Sequence, residues 1–256
     1  MPAVRIAAEP LGVARTTLYE VVDEAGECVS GPRLVVLGAI HGNETVGLDP
    51  LARIREIAPD LLKAGSLLTI HGNPAATAIG ERHTPEGQDI NRLFDFDTQQ
   101  VLRSTPDEEL DPEERRAKAI GPLLDTADAI LDLHSTSRPT EAFLLFRDDQ
   151  QHQRLVQALG VPHVVTGMHE AAMVDGGLAS NAGLRAGERT SRIGFTFEAG
   201  MHGAEGNEGR AWDVFVRLAW ELGLWRDAPP PTDVVPQVYE IMERICLLYT
   251  SDAADE

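Results

Sequence analysis

Three segments are apolar at nearly every position: RLVVLGAI (33–40), SLLTIHG (66–72) and ADAILDLH (127–134). A strand with one wet face alternates apolar and polar residues. A strand that is apolar throughout is covered on both faces, as in a parallel sheet between two helix layers. Four more runs, TTLYEVV (16–22), EAFLLF (141–146), PHVVTG (162–167) and RIGFTFEA (192–199), are bounded by turn formers and predict further strands. Helical patterns lie between them. Residues 45–58 carry apolar side chains at 46, 48, 51, 54 and 57, close to helical spacing. Residues 112–125 open with acids behind a proline, a helix-start signal. Residues 148–159 and 208–222 are two further candidates. The alternation predicts an α/β fold: a twisted, mostly parallel but mixed sheet with helices on both faces. Residues 82–111 are polar and acidic without regular pattern, which predicts a long functional loop.

The chain of 256 residues, 43% apolar, suffices for one large domain. It holds no run of eighteen apolar residues, so no membrane span is expected, and its first twenty residues lack a signal-peptide core. A net charge of −19 argues against nucleic acid or an anionic membrane as partner, since both require a basic face. Only Lys63 and Lys118 are lysines, and the rest of the positive charge is arginine. Two cysteines, Cys28 and Cys246, form no disulfide framework or CxxC motif, which points to a reducing cytoplasm.

Two strand ends read His-Gly-Asn: His41 to Asn43, followed by Glu44, and His71 to Asn73, followed by Pro74. Sites collect at the carboxyl ends of strands in open α/β sheets. A histidine and a glutamate three apart on such a turn can converge on one metal ion, and two histidines with one glutamate form a known catalytic zinc set. His134 ends a third apolar strand and is the best candidate for the third ligand. Asp132, two residues earlier on the same strand face, is placed to orient a ligating histidine, though any neighbouring histidine could be the one served. His71 has no adjacent acid and reads as structural, with Asn73 and Pro74 shaping a turn beside the pocket. Asn91 and Arg92 are adjacent, and arginine suits the capture of a carboxylate. Arg82 could bring a second cation to a developing oxyanion. Glu198 lies inside an apolar strand between Phe197 and Ala199. Burial there raises a carboxyl pKa toward the range of a general base. His202 is a candidate for the pocket wall.

In order, the motifs HGNE, NP, DINRLF, DLHST and TFEAG resemble the succinylglutamate desuccinylase and aspartoacylase family, within the wider zinc carboxypeptidase-like fold. The resemblance runs from about Arg33 to about Gly203. It implies one zinc ion held by His41, Glu44 and His134. It implies Asn91 and Arg92 on the substrate α-carboxylate, Arg82 on the scissile carbonyl and Glu198 as general base, then acid. The implied reaction is hydrolysis of a small anionic N-acyl amino acid. Two departures stand out: TPEGQ (84–88) adds residues between Arg82 and Asp89, and Arg185, Arg189 and Arg192 are equal candidates for a side-chain carboxylate contact.

The competing readings are a zinc carboxypeptidase or amidase acting on peptides, and a non-catalytic binding module with a relic metal site. Association into a homo-oligomer is left open. The expected organisation is a catalytic domain over 1–226, a proline-rich linker over 227–236, and the first strand of a truncated second β domain over 237–245. CLLYTSDAADE (246–256) reads as a translated sequencing adapter, which would make Ile245 the last genuine residue.

Overall fold

The computed structural model describes residues 3–147, 149–167, 178–184 and 191–241. Among the described residues nine strands form one sheet: β1 Ala3–Ala8, β2 Thr16–Val22, β3 Arg33–Gly38, β4 Ser66–His71, β5 Ala129–Thr136, β6 Phe143–Phe146, β7 His163–Thr166, β8 Ile193–Met201 and β9 Gln237–Glu240. Their order is β1-β2-β4-β3-β5-β8-β6-β7-β9. The centre, β4-β3-β5-β8, is parallel. The contacts of β2 with β1 and β4, and of β6 with β8, are antiparallel, so the sheet is mixed.

The apolar runs are explained by cores on both faces. On β3, Leu34 and Val36 pack into one core while Val35 and Leu37 pack into the other. All four are fully buried. Each such side chain contributes about 1.5–3 kcal/mol on leaving water. The first core is covered by helices α1 Leu48–Leu61, α5 Gln150–Leu159 and α6 Asn207–Glu221. α6 presents Ala211, Val214, Phe215 and Leu218 to it, a helical spacing. The second core is covered by α3 Phe96–Ser104 and α4 Pro112–Leu124. A short helix, α2 Pro74–Ile79, follows β4.

α4 starts where the sequence predicts, and for the expected reason. Pro112 occupies its first turn, Asp111 accepts from the Glu114 backbone N–H, and Glu114 accepts from the Asp111 N–H, a reciprocal capping box. The stretch expected to be a long loop is more ordered than that. It contains a 3-10 turn at Ile90–Arg92 and all of α3, capped by the Asp95 side chain on the Thr98 N–H. β9, the strand expected to open a second domain, pairs in parallel with β7 at the edge of the main sheet. Residues 242–256, with the rest of that expected strand and the adapter-like tail, lie outside the described residues.

Candidate metal centre and active site

β3, β5 and β8 are neighbours, and their carboxyl ends carry the chemistry. β3 ends at Gly38, and Ala39 takes a left-handed conformation with φ of 53°. That turn costs a non-glycine residue about 1–2 kcal/mol and sends His41 and Glu44 across the end of β5. The second His-Gly-Asn turn is packed directly against the first. Gly72 N–H donates to Gly38 O and Asn73 N–H to Ala39 O, both at 2.8 Å. A side-chain carbon on Gly42 would lie 2.1 Å from the Ala76 carbonyl carbon, so only glycine allows this approach. The unarmed copy is thus a buttress for the armed one.

His41, Glu44 and His134 are buried, and one ligand atom from each lies within 4.8 Å of the others. Glu44 sits between the histidines, with Oε1 2.9 Å from His41 Nδ1 and Oε2 2.8 Å from His134 Nδ1. The His41 Nδ1 contact has the distance of an ion pair but not the direction of a hydrogen bond, which leaves a buried nitrogen without a partner. The outer nitrogens are tied down: His41 Nε2 to Asp89 Oδ1 at 3.0 Å and His134 Nε2 to Asp132 Oδ2 at 2.7 Å. An imidazole that donates from Nε2 presents a bare Nδ1 lone pair. Two such imidazoles and one carboxylate, each histidine backed by an acid, match the donor chemistry of a zinc site.

Electrostatics follow the same geometry. Burial pushes the Glu44 carboxyl up, but His134 and then His41 overcome it and hold the group well below the usual carboxylate range. Burial opposes charge on His134, yet Asp132 and Glu44 hold its protonated form far above the usual histidine range. A site that favours a proton between those carboxylates also favours a metal cation there, and the two compete.

Glu198 pairs in register with His134 across β5 and β8, so both side chains project from one face of the sheet. The register shifts between His134 and Thr136, an irregularity at the mouth of the site. Glu198 Oε2 is buried without a hydrogen-bond partner. Burial raises its pKa. His134 and His41 pull it back, while Glu44 and Asp132 push it further.

Arg82 reaches the cluster from the loop before Asp89, with Nη1 3.2 Å from Glu44 Oε1 and Nη2 2.8 Å from Asp89 Oδ2. Arg92 is half-exposed; its Nη1 donates to Asn91 O at 2.8 Å and its Nη2 lies 3.8 Å from Asp89. Asn91, the other residue expected on the substrate carboxylate, is buried. It is 2% exposed, its Oδ1 accepts from the Ala179 N–H at 2.7 Å, and its Nδ2 points to Asp132 at 3.5 Å. His71 faces Thr77 and stands apart from the cluster. His202 Nδ1 meets Ser135 Oγ at 2.8 Å, beside His134. Arg192 lies at the start of β8, where its guanidinium donates to the carbonyls of Ala127, Asp125 and Ala182. That is six residues, about 20 Å along the strand, from Glu198, and it removes Arg192 from the candidates for substrate contact. Arg185 and Arg189 lie outside the described residues. Sequence reading did not single out Asp89, although a ligating histidine ordinarily has a carboxylate behind it and Asp89 stands in the DINRLF motif.

Residues 30–209 match the succinylglutamate desuccinylase/aspartoacylase catalytic domain. The chain belongs to this family. Solved structures share the family's fold at low identity. A product-bound ectoine utilization protein from Ruegeria pomeroyi is 20% identical with a TM-score of 0.66, over 87% of this chain and 65% of that one. A succinylglutamate desuccinylase/aspartoacylase from Rhodobacter sphaeroides is 15% identical with a TM-score of 0.67, over 95% and 72%. A succinylglutamate desuccinylase from Vibrio cholerae is 18% identical with a TM-score of 0.63, over 98% and 74%. The chain thus spans less than two thirds of the ectoine protein's length. No curated protein sequence matches it.

Proposed function

We propose that the chain hydrolyses the amide bond of a small anionic N-acyl amino acid, with one zinc ion held by His41, Glu44 and His134. The observation that carries this reading is the convergence of that buried triad with Glu198, whose buried Oε2 has no hydrogen-bond partner, under a rim of arginines. When bound, zinc supplies Lewis acidity, which lowers the pKa of water and polarises a carbonyl. Every other step belongs to the chain. Asp89 and Asp132 fix the ring orientations of His41 and His134. Glu198 Oε2 accepts a proton from the attacking water and delivers it to the leaving amine nitrogen, a role suited to a carboxyl raised above its ordinary range by burial. Arg82 leaves its ion pairs with Glu44 and Asp89 to stabilise the oxyanion. Arg92 binds the substrate carboxylate, and Asn91 beneath it is a positioning residue that anchors this turn to Ala179.

The test is amine release from a panel of N-acyl amino acids and dipeptides. The expected result is release from an N-acyl amino acid, lost on chelation and restored by zinc. Release of C-terminal residues from peptides instead would favour a carboxypeptidase and overturn the proposal.

A further inference from the structure

The TPEGQ segment separates Arg82 from Asp89, and the chemistry above makes no use of it. It is gripped by the first turn of α4. Glu113, fully buried, accepts three hydrogen bonds: from Thr84 N–H at 2.7 Å, Asn73 Nδ2 at 2.9 Å and Thr84 Oγ1 at 2.8 Å. Gln88 Nε2 donates to Asp111 Oδ2 at 2.9 Å and Glu114 Oε1 at 3.2 Å. Gly87 is pressed so closely on the clamp that a side-chain carbon there would lie 1.5 Å from Glu113 Oε2. Burying a carboxyl is expensive unless its lone pairs are satisfied, and here three donors and a helix N-terminus satisfy them.

The two ends of this clamp both lead to the cluster. Asn73 bonds through its backbone to Ala39, two residues before His41, and caps α2 with its side chain. Thr84 lies two residues after Arg82 and five before Asp89, the groups that meet Glu44 and His41. We propose that Glu113 is a positioning residue, which locks the TPEGQ loop to the second His-Gly-Asn turn and so sets Asp89 against His41 and Arg82 over Glu44. Arg92 touches Asp89 but its turn has a second anchor in the buried Ile90 and Asn91, so the clamp acts on metal binding and turnover more than on substrate affinity. The turnover arm rests on the proposed hydrolysis; the metal arm does not.

The experiment compares Glu113→Ala, Glu113→Gln and Gly87→Ala in the full chain. Zinc affinity is measured by chelator competition, then kcat and KM on the best substrate. Disturbing groups behind a metal ligand weakens binding about 10–100-fold. Glu113→Ala and Gly87→Ala are expected near the lower end, about tenfold, with kcat down about tenfold and KM within about twofold. Glu113→Gln keeps an acceptor for Asn73 and the Thr84 N–H, and the Thr84 hydroxyl can turn to accept, so it should restore both values to within about threefold. Unchanged zinc affinity in a folded Gly87→Ala chain overturns the proposal, as does a Gln variant as damaged as the Ala variant. Should Glu113→Ala fail to fold, the other two variants decide. A chain that hydrolyses no N-acyl amino acid, yet loses zinc affinity as described, refutes the proposed reaction and upholds the clamp.

Discussion

His41 and His134 turn the same nitrogen inward. In each, Nε2 is held by an aspartate, Asp89 or Asp132, and Nδ1 faces Glu44. The aspartates therefore choose the tautomer, and a change in either is felt as metal affinity. Asp89→Asn keeps an acceptor for His41 and for the Asn91 N–H but removes the charge. It should weaken zinc about tenfold in chelator competition, and unchanged affinity would contradict this role. Residues whose chemistry is local to a strand end were legible in the sequence: His41, Glu44, His134 and Glu198 are brought together as their positions suggested. Asp89 and Glu113 were not, because their partners are distant in sequence: His41 lies 48 residues from Asp89, and Asn73 lies 40 from Glu113. Asn91 was expected on the substrate carboxylate, and nothing local in the sequence shows that it accepts from the Ala179 N–H.

Among the elements, those with two-sided burial were the clearest. β3 and β4 fall within their apolar runs, β5 runs two residues past the end of its own, and α4 and α6 lie within two residues of their expected bounds. α1 begins at Leu48, three residues late, because the chain first makes a 3-10 turn at Thr45–Gly47 as it leaves the site. α3 was missed because its inner face is thin: only Gln99 and Leu102 are buried, too few for a helical period. β1 was missed because it is an edge strand with no buried residue. α5 shows how a cap fixes a boundary. Asp149 accepts from the Gln151 and His152 N–H groups and from His152 Nδ1 at 2.8 Å. Burial opposes its charge, but these bonds from His152 prevail and lower its pKa to about 2. The folded chain thus binds this proton less readily than the unfolded chain, whose aspartate titrates near 3.9. The stabilisation is present above that value and is lost as pH falls toward 2. Asp149→Ala should lower stability by about 1 kcal/mol at neutral pH. In thermal melts at a series of pH values, the gap to the unaltered chain should close below pH ~4. A gap that stays constant would contradict the assignment.

At the scale of the whole molecule, one sheet between two cores carries the cluster at adjacent strand ends. Among the described residues no helix is long and apolar enough to cross a membrane. A net charge of −19 repels anions at long range, so the anionic substrate proposed above would depend on a few local cations, Arg82 and Arg92 foremost. The family was legible from five ordered motifs and the mixed α/β sheet from the alternation of strands and helices; the place of β9 on the main sheet was not, since an edge pairing leaves no mark in the strand's own residues. The proposed reaction depends on the half-buried Glu198 moving the proton over a metal held by two histidines and a glutamate. The most direct measurement is amine release by the zinc-loaded chain and by its Glu198→Gln variant, with metal content determined on both. Equal zinc and a turnover lower by about 10²–10⁴-fold are expected in the variant. A variant that holds zinc and turns over at nearly the unaltered rate would contradict it.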